Sequence, residues 1–138
     1  MKPVLYVEDL PDDVLFMQHV WERAGIAHPL IDVSDGQQAI DYLDGNEQFK
    51  DRKKYPLPCL VLLDLNLPRK SGFEVLDWIR NDPRFKSLKV VIVSGSNQDE
   101  DMERAQSLGI TDYVVKPSGL ERLYRVVVDN KERWLGKG

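Results

Sequence analysis

Four short apolar runs in this sequence have the character of buried strands, and each one is followed directly by residues with chemically reactive side chains. The runs are residues 4–7 before Glu8 and Asp9, 60–63 before Asp64, 90–93 before Ser94, and 113–115 before Lys116 and Pro117. Short, nearly continuous apolar runs are typical of strands buried on both faces of a parallel sheet. Because the carboxyl ends of parallel strands share one edge, we expect three carboxylates, a hydroxyl and an ammonium group to meet there.

The segments between these strands carry helix signals. Apolar residues recur at helical spacing from Val14 to Ala24, and Gly25 then predicts a stop. A second short strand is predicted at 31–33. Capping-box patterns predict helix starts at 34–37, 71–74 and 118–121, and residues 97–100 give a weaker start for a helix that ends at Gly109. Five strands alternating with five helices predict an α/β domain of three layers, with a parallel sheet between two helical layers.

Two charged segments receive ordinary structural interpretations. Asp12 and Asp13 could join the carboxylates at the sheet edge, but they stand in the predicted first turn of the first helix, where acids complement the helix dipole, and we favour that role. The polar segment 45–58, which contains a basic run at 50–54 and two prolines, is predicted to be an exposed loop before the third strand. A basic run this short is more typical of a solvated surface than of a binding patch.

Length and composition limit the classes of function. A chain of 138 residues with 42% hydrophobic residues fits one domain, and its net charge of −4 leaves no basic stripe for direct nucleic-acid binding. The single cysteine, Cys59, cannot form an internal disulfide, and acids within the first nine residues replace an apolar export signal. The apolar runs are also far too short to span a membrane. These features predict a cytoplasmic protein.

The predicted cluster of Glu8, Asp9 and Asp64 requires compensation of its negative charge. Carboxylates a few ångströms apart repel by roughly 4 kcal/mol per pair at an effective dielectric constant near 20. A divalent cation with a preference for oxygen ligands, Mg²⁺ or Mn²⁺, would compensate this charge, and Mg²⁺ normally retains waters and a phosphate oxygen. Alternatively, one of the acids stays protonated and no metal is needed. The first alternative suits a site that handles phosphate.

Asp64 has the chemistry of a nucleophile in such a site. An aspartate carboxylate attacks phosphorus to form an aspartyl phosphate and needs no general base. The charge on the transferred group would be stabilised by the cation, the Lys116 ammonium, the Ser94 hydroxyl and the Gly95 backbone N–H. The absence of an evident histidine or cysteine base is therefore no obstacle.

Over its whole length the chain resembles the receiver domain of two-component response regulators. The motifs that carry the resemblance are Val7-Glu8-Asp9, residues 63–68 with Gly72, Ser94-Gly95, and the stretch from Gly109 through Tyr113 to Lys116-Pro117. The charged loop before strand three further resembles the small regulators associated with phytochrome-type kinases. The resemblance implies a flavodoxin-like receiver fold with strand order 2-1-3-4-5, occupying residues 1–138 with no output domain.

The resemblance also implies a role for each motif residue. Asp64 would be the phosphoacceptor, Asp9, Asp64 and the backbone carbonyl of Asn66 would ligate Mg²⁺ or Mn²⁺, and Glu8 would assist through water. Ser94 and Gly95 would contact the phosphoryl group together with Lys116, Tyr113 would change rotamer, and Pro117 would follow a cis peptide bond. Two positions depart from the commonest family pattern, since Glu8 is often Asp and Gly95 is often Ala.

These implications define an expected function. The chain would be a single-domain regulator that takes a phosphoryl group from a sensor histidine kinase, catalyses part of its own transfer and hydrolysis, and signals to a downstream protein. Helix five offers a face for a homodimer, although the same apolar residues are equally expected to cover the sheet. One alternative is an aspartyl-phosphate phosphatase or phosphotransferase, but such an enzyme would need an acid where Asn66 stands. The other alternative is a docking module that is not phosphorylated. Such a module would not need the reactive side chains at the strand ends, because packing does not require them.

Overall fold

The computed structural model describes residues 1–136, which alternate between strands and helices as predicted. Within these residues the strands are β1 (Val4–Val7), β2 (Leu30–Val33), β3 (Leu60–Leu63), β4 (Lys89–Ser94) and β5 (Asp112–Val115). The helices are α1 (Pro11–Arg23), α2 (Gly36–Asp44), α3 (Gly72–Asn81), α4 (Asp99–Ser107) and α5 (Leu120–Leu135), with a short 3₁₀ helix at Glu47–Phe49.

The strands form one parallel sheet in the order β2-β1-β3-β4-β5. The register pairs Val7 with Leu63, Leu63 with Ile92, and Ser94 with Val115. The residues that follow β1, β3, β4 and β5 therefore emerge at the same edge of the sheet. This confirms the predicted fold class and the convergence of the strand ends.

Alternation along the strands divides the core between the two faces of the sheet. Leu5 and Val7 face a cluster that includes buried residues of α2, α3 and α4, whereas Val4 and Tyr6 face a cluster with α1 and α5. In α5, Val127 is fully buried, and the apolar residues at 120, 123 and 128 pack against the second cluster. These residues of helix five therefore cover the sheet, as expected.

Of the three predicted capping boxes, the structure confirms one, shifts one by a residue and contradicts one. Ser71 accepts a hydrogen bond from the Glu74 N–H, as predicted for α3. In α2 the capping residue is Asp35 instead of Ser34, because the Asp35 carboxylate accepts from the Gln38 N–H at 2.7 Å. The box at 118–121 is wrong, since Gly119 precedes α5 without a side-chain cap. Helix α4 runs from Asp99 to Ser107 and ends slightly before the predicted Gly109.

The segment 45–58 is more ordered than an exposed loop. Phe49 is buried and packs with Tyr42 and Tyr55, with ring centroids 5.1 to 5.9 Å apart. The Arg52 guanidinium is half-buried and donates to the carbonyls of Tyr42, Leu43 and Tyr55. The prediction of an exposed loop is confirmed for the lysines of the basic run and wrong for Phe49 and Tyr55, because its charge and proline content do not reveal which aromatic side chains pack against the core.

In the part of the chain that the structure describes, no helix is both long enough and apolar enough to cross a membrane.

Candidate functional site

Three carboxylates meet at the carboxyl edge of the sheet, where β1 and β3 end. Glu8, Asp9 and Asp64 each offer an oxygen, and these oxygens all lie within 4.8 Å of one another. Glu8 and Asp64 are buried, with 1% and 3% of their surfaces exposed, whereas Asp9 is exposed. The cluster thus has a buried floor and a side open to solvent, through which a cation could enter.

Lys116 brings a positive charge to this cluster from the end of β5. Its Nζ atom lies 2.7 Å from Glu8 Oε1, 2.8 Å from Asp13 Oδ2 and 3.1 Å from Asp64 Oδ2. Burial alone would lower the pKa of Lys116, but Asp13, Glu8 and Asp64 outweigh it, so the pKa lies above its usual value. The lysine is therefore charged and compensates part of the repulsion among the acids.

The protonation of Glu8 is shifted by its surroundings. Burial raises the pKa of Glu8 to about 7, and the nearby Asp64 acts in the same direction, although Lys116 and the Leu10 N–H oppose the shift. The Tyr6 hydroxyl donates to Glu8 Oε1 at 3.3 Å, and the Asp9 and Leu10 N–H groups donate to Oε2. A partly protonated Glu8 is thus one way in which the protein limits repulsion here.

Asp13 has a different role from the predicted one. It lies in the first turn of α1, but its carboxylate contacts Lys116, a residue 103 positions away. The helix begins directly after the loop that follows β1, so its first turn lies at the edge where the acids meet. Of the two roles that the sequence allows for Asp13, the helix dipole and the acid cluster, the structure therefore supports a place beside the acids.

The Asp64 carboxylate is held by one donor on each oxygen. The Asn66 N–H donates to Oδ1 at 3.1 Å, and Lys116 donates to Oδ2. The chain then turns back so tightly that a Cβ on Gly72 would lie 2.2 Å from the Asp64 carbonyl oxygen. Glycine is therefore required at position 72 for the loop that supports Asp64.

Ser94 and Tyr113 are connected through a residue that the sequence analysis missed. Ser94 is fully buried, and its Oγ accepts from the Ser96 N–H at 3.3 Å. The Ser96 carbonyl in turn accepts from the Tyr113 hydroxyl at 2.9 Å, and the Ser96 hydroxyl donates to Asp101 of α4. Gly95 is exposed, with open space on its Cβ side. Ser96 therefore joins the end of β4 to both β5 and α4.

The peptide bond between Lys116 and Pro117 departs from expectation. No peptide bond in residues 1–136 is cis, so this bond is trans, which is the isomer that X–Pro bonds ordinarily favour. The Lys116 N–H nevertheless donates to the Ser94 carbonyl at 2.7 Å, which keeps the lysine in register with β4.

The donor set suits a small, hard divalent cation. Carboxylate oxygens are the ligands that Mg²⁺ and Mn²⁺ prefer, and three of them converge at Glu8, Asp9 and Asp64. The same edge also holds the Lys116 ammonium group, the buried Ser94 hydroxyl and the Gly95 backbone N–H, which are suitable partners for phosphoryl oxygens. The fold thus brings together the predicted residues of all four strand ends.

A 2-1-3-4-5 parallel sheet with acids after β1 and β3, serine after β4 and lysine after β5 defines the receiver class of signalling proteins. The chain belongs to the response regulator receiver domain family, whose model matches residues 4–128. It is accordingly a receiver domain of two-component signalling.

Two curated regulatory proteins are similar to this chain over most of its length. It is 36% identical over 133 residues, 96% of its length, to the probable methanogenesis regulatory protein FilR2 of Methanothrix harundinacea, of which 83% is covered. It is 34% identical over 134 residues to the response regulator Rcp1 of Synechocystis sp., covering 97% of this chain and 89% of Rcp1.

Solved structures of response regulators share the fold closely. The phosphorylated cyanobacterial phytochrome response regulator RcpA superposes with a TM-score of 0.89 at 33% identity, covering 99% of this chain and 96% of that one. The Mn²⁺-bound form of Rcp1 superposes with a TM-score of 0.88 at 33% identity, covering 100% and 97% of the two chains.

Proposed function

We propose that this receiver domain accepts a phosphoryl group on Asp64 in a Mg²⁺- or Mn²⁺-dependent reaction and signals to a partner protein through the ends of β4 and β5. The observation that carries the proposal is the position of Asp64. Its buried carboxylate lies 3.1 Å from the Lys116 ammonium and shares a cluster with oxygens of Glu8 and Asp9. Few structural roles require a buried acid beside two other acids and a lysine.

The transfer step follows from the chemistry of the carboxylate. An oxygen of Asp64 attacks the phosphorus of a phosphohistidine, the O–P bond forms, and the imidazole leaves with the electrons of the P–N bond. Lys116 stabilises negative charge on the phosphoryl oxygens, and the Gly95 N–H supplies a further donor. Attack of water on the same phosphorus would later return Asp64 to its free form.

The acidic cluster would hold the divalent ion during this reaction. Asp9, Asp64 and the backbone carbonyl of Asn66 would be its ligands, with Glu8 acting through water. When bound, the ion neutralises charge on the acids and on the phosphoryl oxygens. The similarity to a Mn²⁺-bound relative supports this assignment of the cluster.

Ser94 and Tyr113 would convert the added charge into a change of surface. A phosphoryl group beside Ser94 offers its hydroxyl a charged acceptor and draws it inward. Ser96 is hydrogen-bonded to Ser94, to the Tyr113 hydroxyl and to Asp101 of α4. A shift of Ser94 would therefore move the hydrogen-bond partners of Tyr113 and α4. The two states differ by their interaction with the phosphoryl group, which is the condition for a ligand-driven switch.

The phosphoryl donor would be a sensor histidine kinase, and similarity to phytochrome response regulators supports one of the phytochrome type. The receiver would then act on a downstream protein. In this proposal its catalytic activity is limited to its own phosphorylation and dephosphorylation.

Mass spectrometry after incubation with acetyl phosphate and Mg²⁺ tests the proposal. We expect one phosphoryl adduct on wild type, none on Asp64→Asn, and none when the metal is chelated. Asp12→Asn is a matched control, because Asp12 is an exposed acid of the same edge. An unmodified wild type, or an adduct that persists in Asp64→Asn, would contradict the proposal. Turnover of an added phosphomonoester would favour the phosphatase alternative.

A further inference from the structure

The Lys116 ammonium contacts the carboxylates of Glu8, Asp64 and Asp13. Asp13 is not one of the three acids that form the candidate metal site. Asp13 Oδ2 lies 2.8 Å from Nζ, closer than Asp64 Oδ2 at 3.1 Å. Glu8 and Asp64 follow strands, whereas Asp13 belongs to helix α1. The ammonium group donates hydrogen bonds to Asp13 and Asp64 and forms a close ion pair with Glu8.

We propose that Asp13 lowers the affinity of the site for a phosphoryl group by competing for the Lys116 ammonium. This inference rests on the proposed function, in which Lys116 binds the phosphoryl group on Asp64. A phosphoryl oxygen and the Asp13 carboxylate need the same charged donor, and the Asp13 charge also repels the incoming anion. Asp13 is thus a positioning residue that acts through Lys116 and sets how stable the phosphorylated state is.

Exposure indicates which of the three contacts gives way. The Glu8 side chain is 0% exposed, so withdrawing Lys116 would leave its buried negative charge without a nearby cation. The Asp13 side chain is 29% exposed and can turn toward water. Asp13 and Lys116 also line one cavity of about 160 Å³, which gives the released carboxylate access to solvent. Once Asp64 carries the phosphoryl group, Lys116 contacts the phosphoryl oxygens in place of the free carboxylate. Asp13 is therefore the group that competes with the phosphoryl group for Lys116.

The chain supplies a closely matched control for this proposal. Asp12 precedes Asp13, carries the same charge and is exposed. Among the contacts of residues 1–136, Lys116 pairs with Asp13 and not with Asp12. Asp13→Asn keeps an oxygen that can accept from Lys116 but removes the charge, so it separates competition from loss of the contact. Asp13→Ser also removes the charge and serves as a second variant if the first fails to fold.

The experiment measures two affinities in wild type, Asp13→Asn and Asp12→Asn. The first is for beryllium fluoride, an analogue of the phosphoryl group, at saturating Mg²⁺. The second is for Mg²⁺ alone. We expect Asp13→Asn to bind the analogue about two- to five-fold more tightly, the effect of one partly exposed ion pair, and Asp12→Asn to match wild type.

The two ligands separate an electrostatic effect from structural damage. Removing a negative charge strengthens binding of the anionic analogue and leaves Mg²⁺ binding equal or weaker, whereas a loosened site weakens both. Equal or weaker analogue binding by Asp13→Asn, or the same gain in Asp12→Asn, overturns the inference alone. If wild type does not bind the analogue, the proposed function fails together with it.

Discussion

The Nζ atom of Lys116 lies 2.7 Å from Oε1 of Glu8, although the strands that carry them, β5 and β1, are separated by β3 and β4. The contact joins the end of β1, the second strand of the sheet, to the end of β5, an edge strand. It also supplies the positive charge that allows Glu8 and Asp64 to be buried together.

Replacing Lys116 by Met should therefore destabilise the metal-free protein. We expect the free energy of unfolding to fall by about 3 kcal/mol, the low end of the cost of removing one partner of a buried ion pair. Denaturant titration measures this loss, and added Mg²⁺ should restore part of it by supplying positive charge. Lys53→Met, at an exposed lysine, is the control. An unchanged stability of Lys116→Met without metal would contradict the expected role.

The stability of the metal-free protein should depend on pH through Glu8. The pKa of Glu8 is about 7 in the folded protein, above its ordinary value of 4.5, so between these values the folded state binds more protons than the unfolded state. The contribution of Glu8 is therefore fully present below about pH 4.5 and is lost as the pH rises through about 7. Unfolding titrations in a chelator across this range should show the decline in wild type. Glu8→Gln, which cannot titrate, should lack this component, and an identical decline in both proteins would refute the assignment.

A methyl group at position 36 should disturb the loop that follows Asp64. A Cβ on Gly36 would lie 2.0 Å from the Lys70 carbonyl oxygen, so the loop must shift. We expect Gly36→Ala to cost about 1–3 kcal/mol of stability, as overpacking does, and to weaken Mg²⁺ binding measured by calorimetry. In Gly95→Ala the added Cβ meets no atom within 4 Å, so this variant should keep wild-type stability. Equal stability of the two variants would argue against the close approach.

The segment between α2 and β3 should depend on Arg52. Its guanidinium donates to the carbonyls of Tyr42, Leu43 and Tyr55, and Arg52→Ala leaves them without this partner. We expect a loss of about 2 kcal/mol in unfolding free energy, together with faster tryptic cleavage after the exposed lysines of this segment. Lys53→Ala should leave the stability unchanged. Wild-type resistance to trypsin in Arg52→Ala would show that the aromatic cluster alone orders the segment.

Ser94→Ala should separate phosphorylation from its effect on the surface. Ser94 is not the proposed nucleophile, so Asp64 should still accept a phosphoryl group from acetyl phosphate. Without the hydroxyl, the side chain at position 94 cannot hydrogen-bond to the phosphoryl group. The change in the position of the Tyr113 ring on phosphorylation should therefore be smaller. The ring resonances of Tyr113 in NMR spectra, with and without beryllium fluoride, measure this response. A full Tyr113 shift in Ser94→Ala would exclude the proposed switch.

Much of the fold could be predicted because its signals are local. The apolar runs at 4–7, 60–63 and 90–93 lie in β1, β3 and β4 as predicted, and Ser71 caps α3 through an N–H only three residues ahead. The errors arose where a local pattern competes with a distant partner. Glu121 matches a capping box, but in the structure it pairs with Arg23 of α1 at 2.7 Å.

In the site, too, some features could be predicted from the sequence and others depended on the tertiary structure. Chain order and the parallel sheet were sufficient to bring Glu8, Asp64 and Lys116 to one edge, because side chains that follow adjacent parallel strands must emerge together. The partners of each group depend on rotamers and on how helices sit against the sheet, and these are decided by packing across the whole domain. The contact of Asp13 with Lys116 depends on where α1 packs, and the sequence alone does not give that position. The role of Ser96 likewise depends on β5, which places Tyr113 beside it.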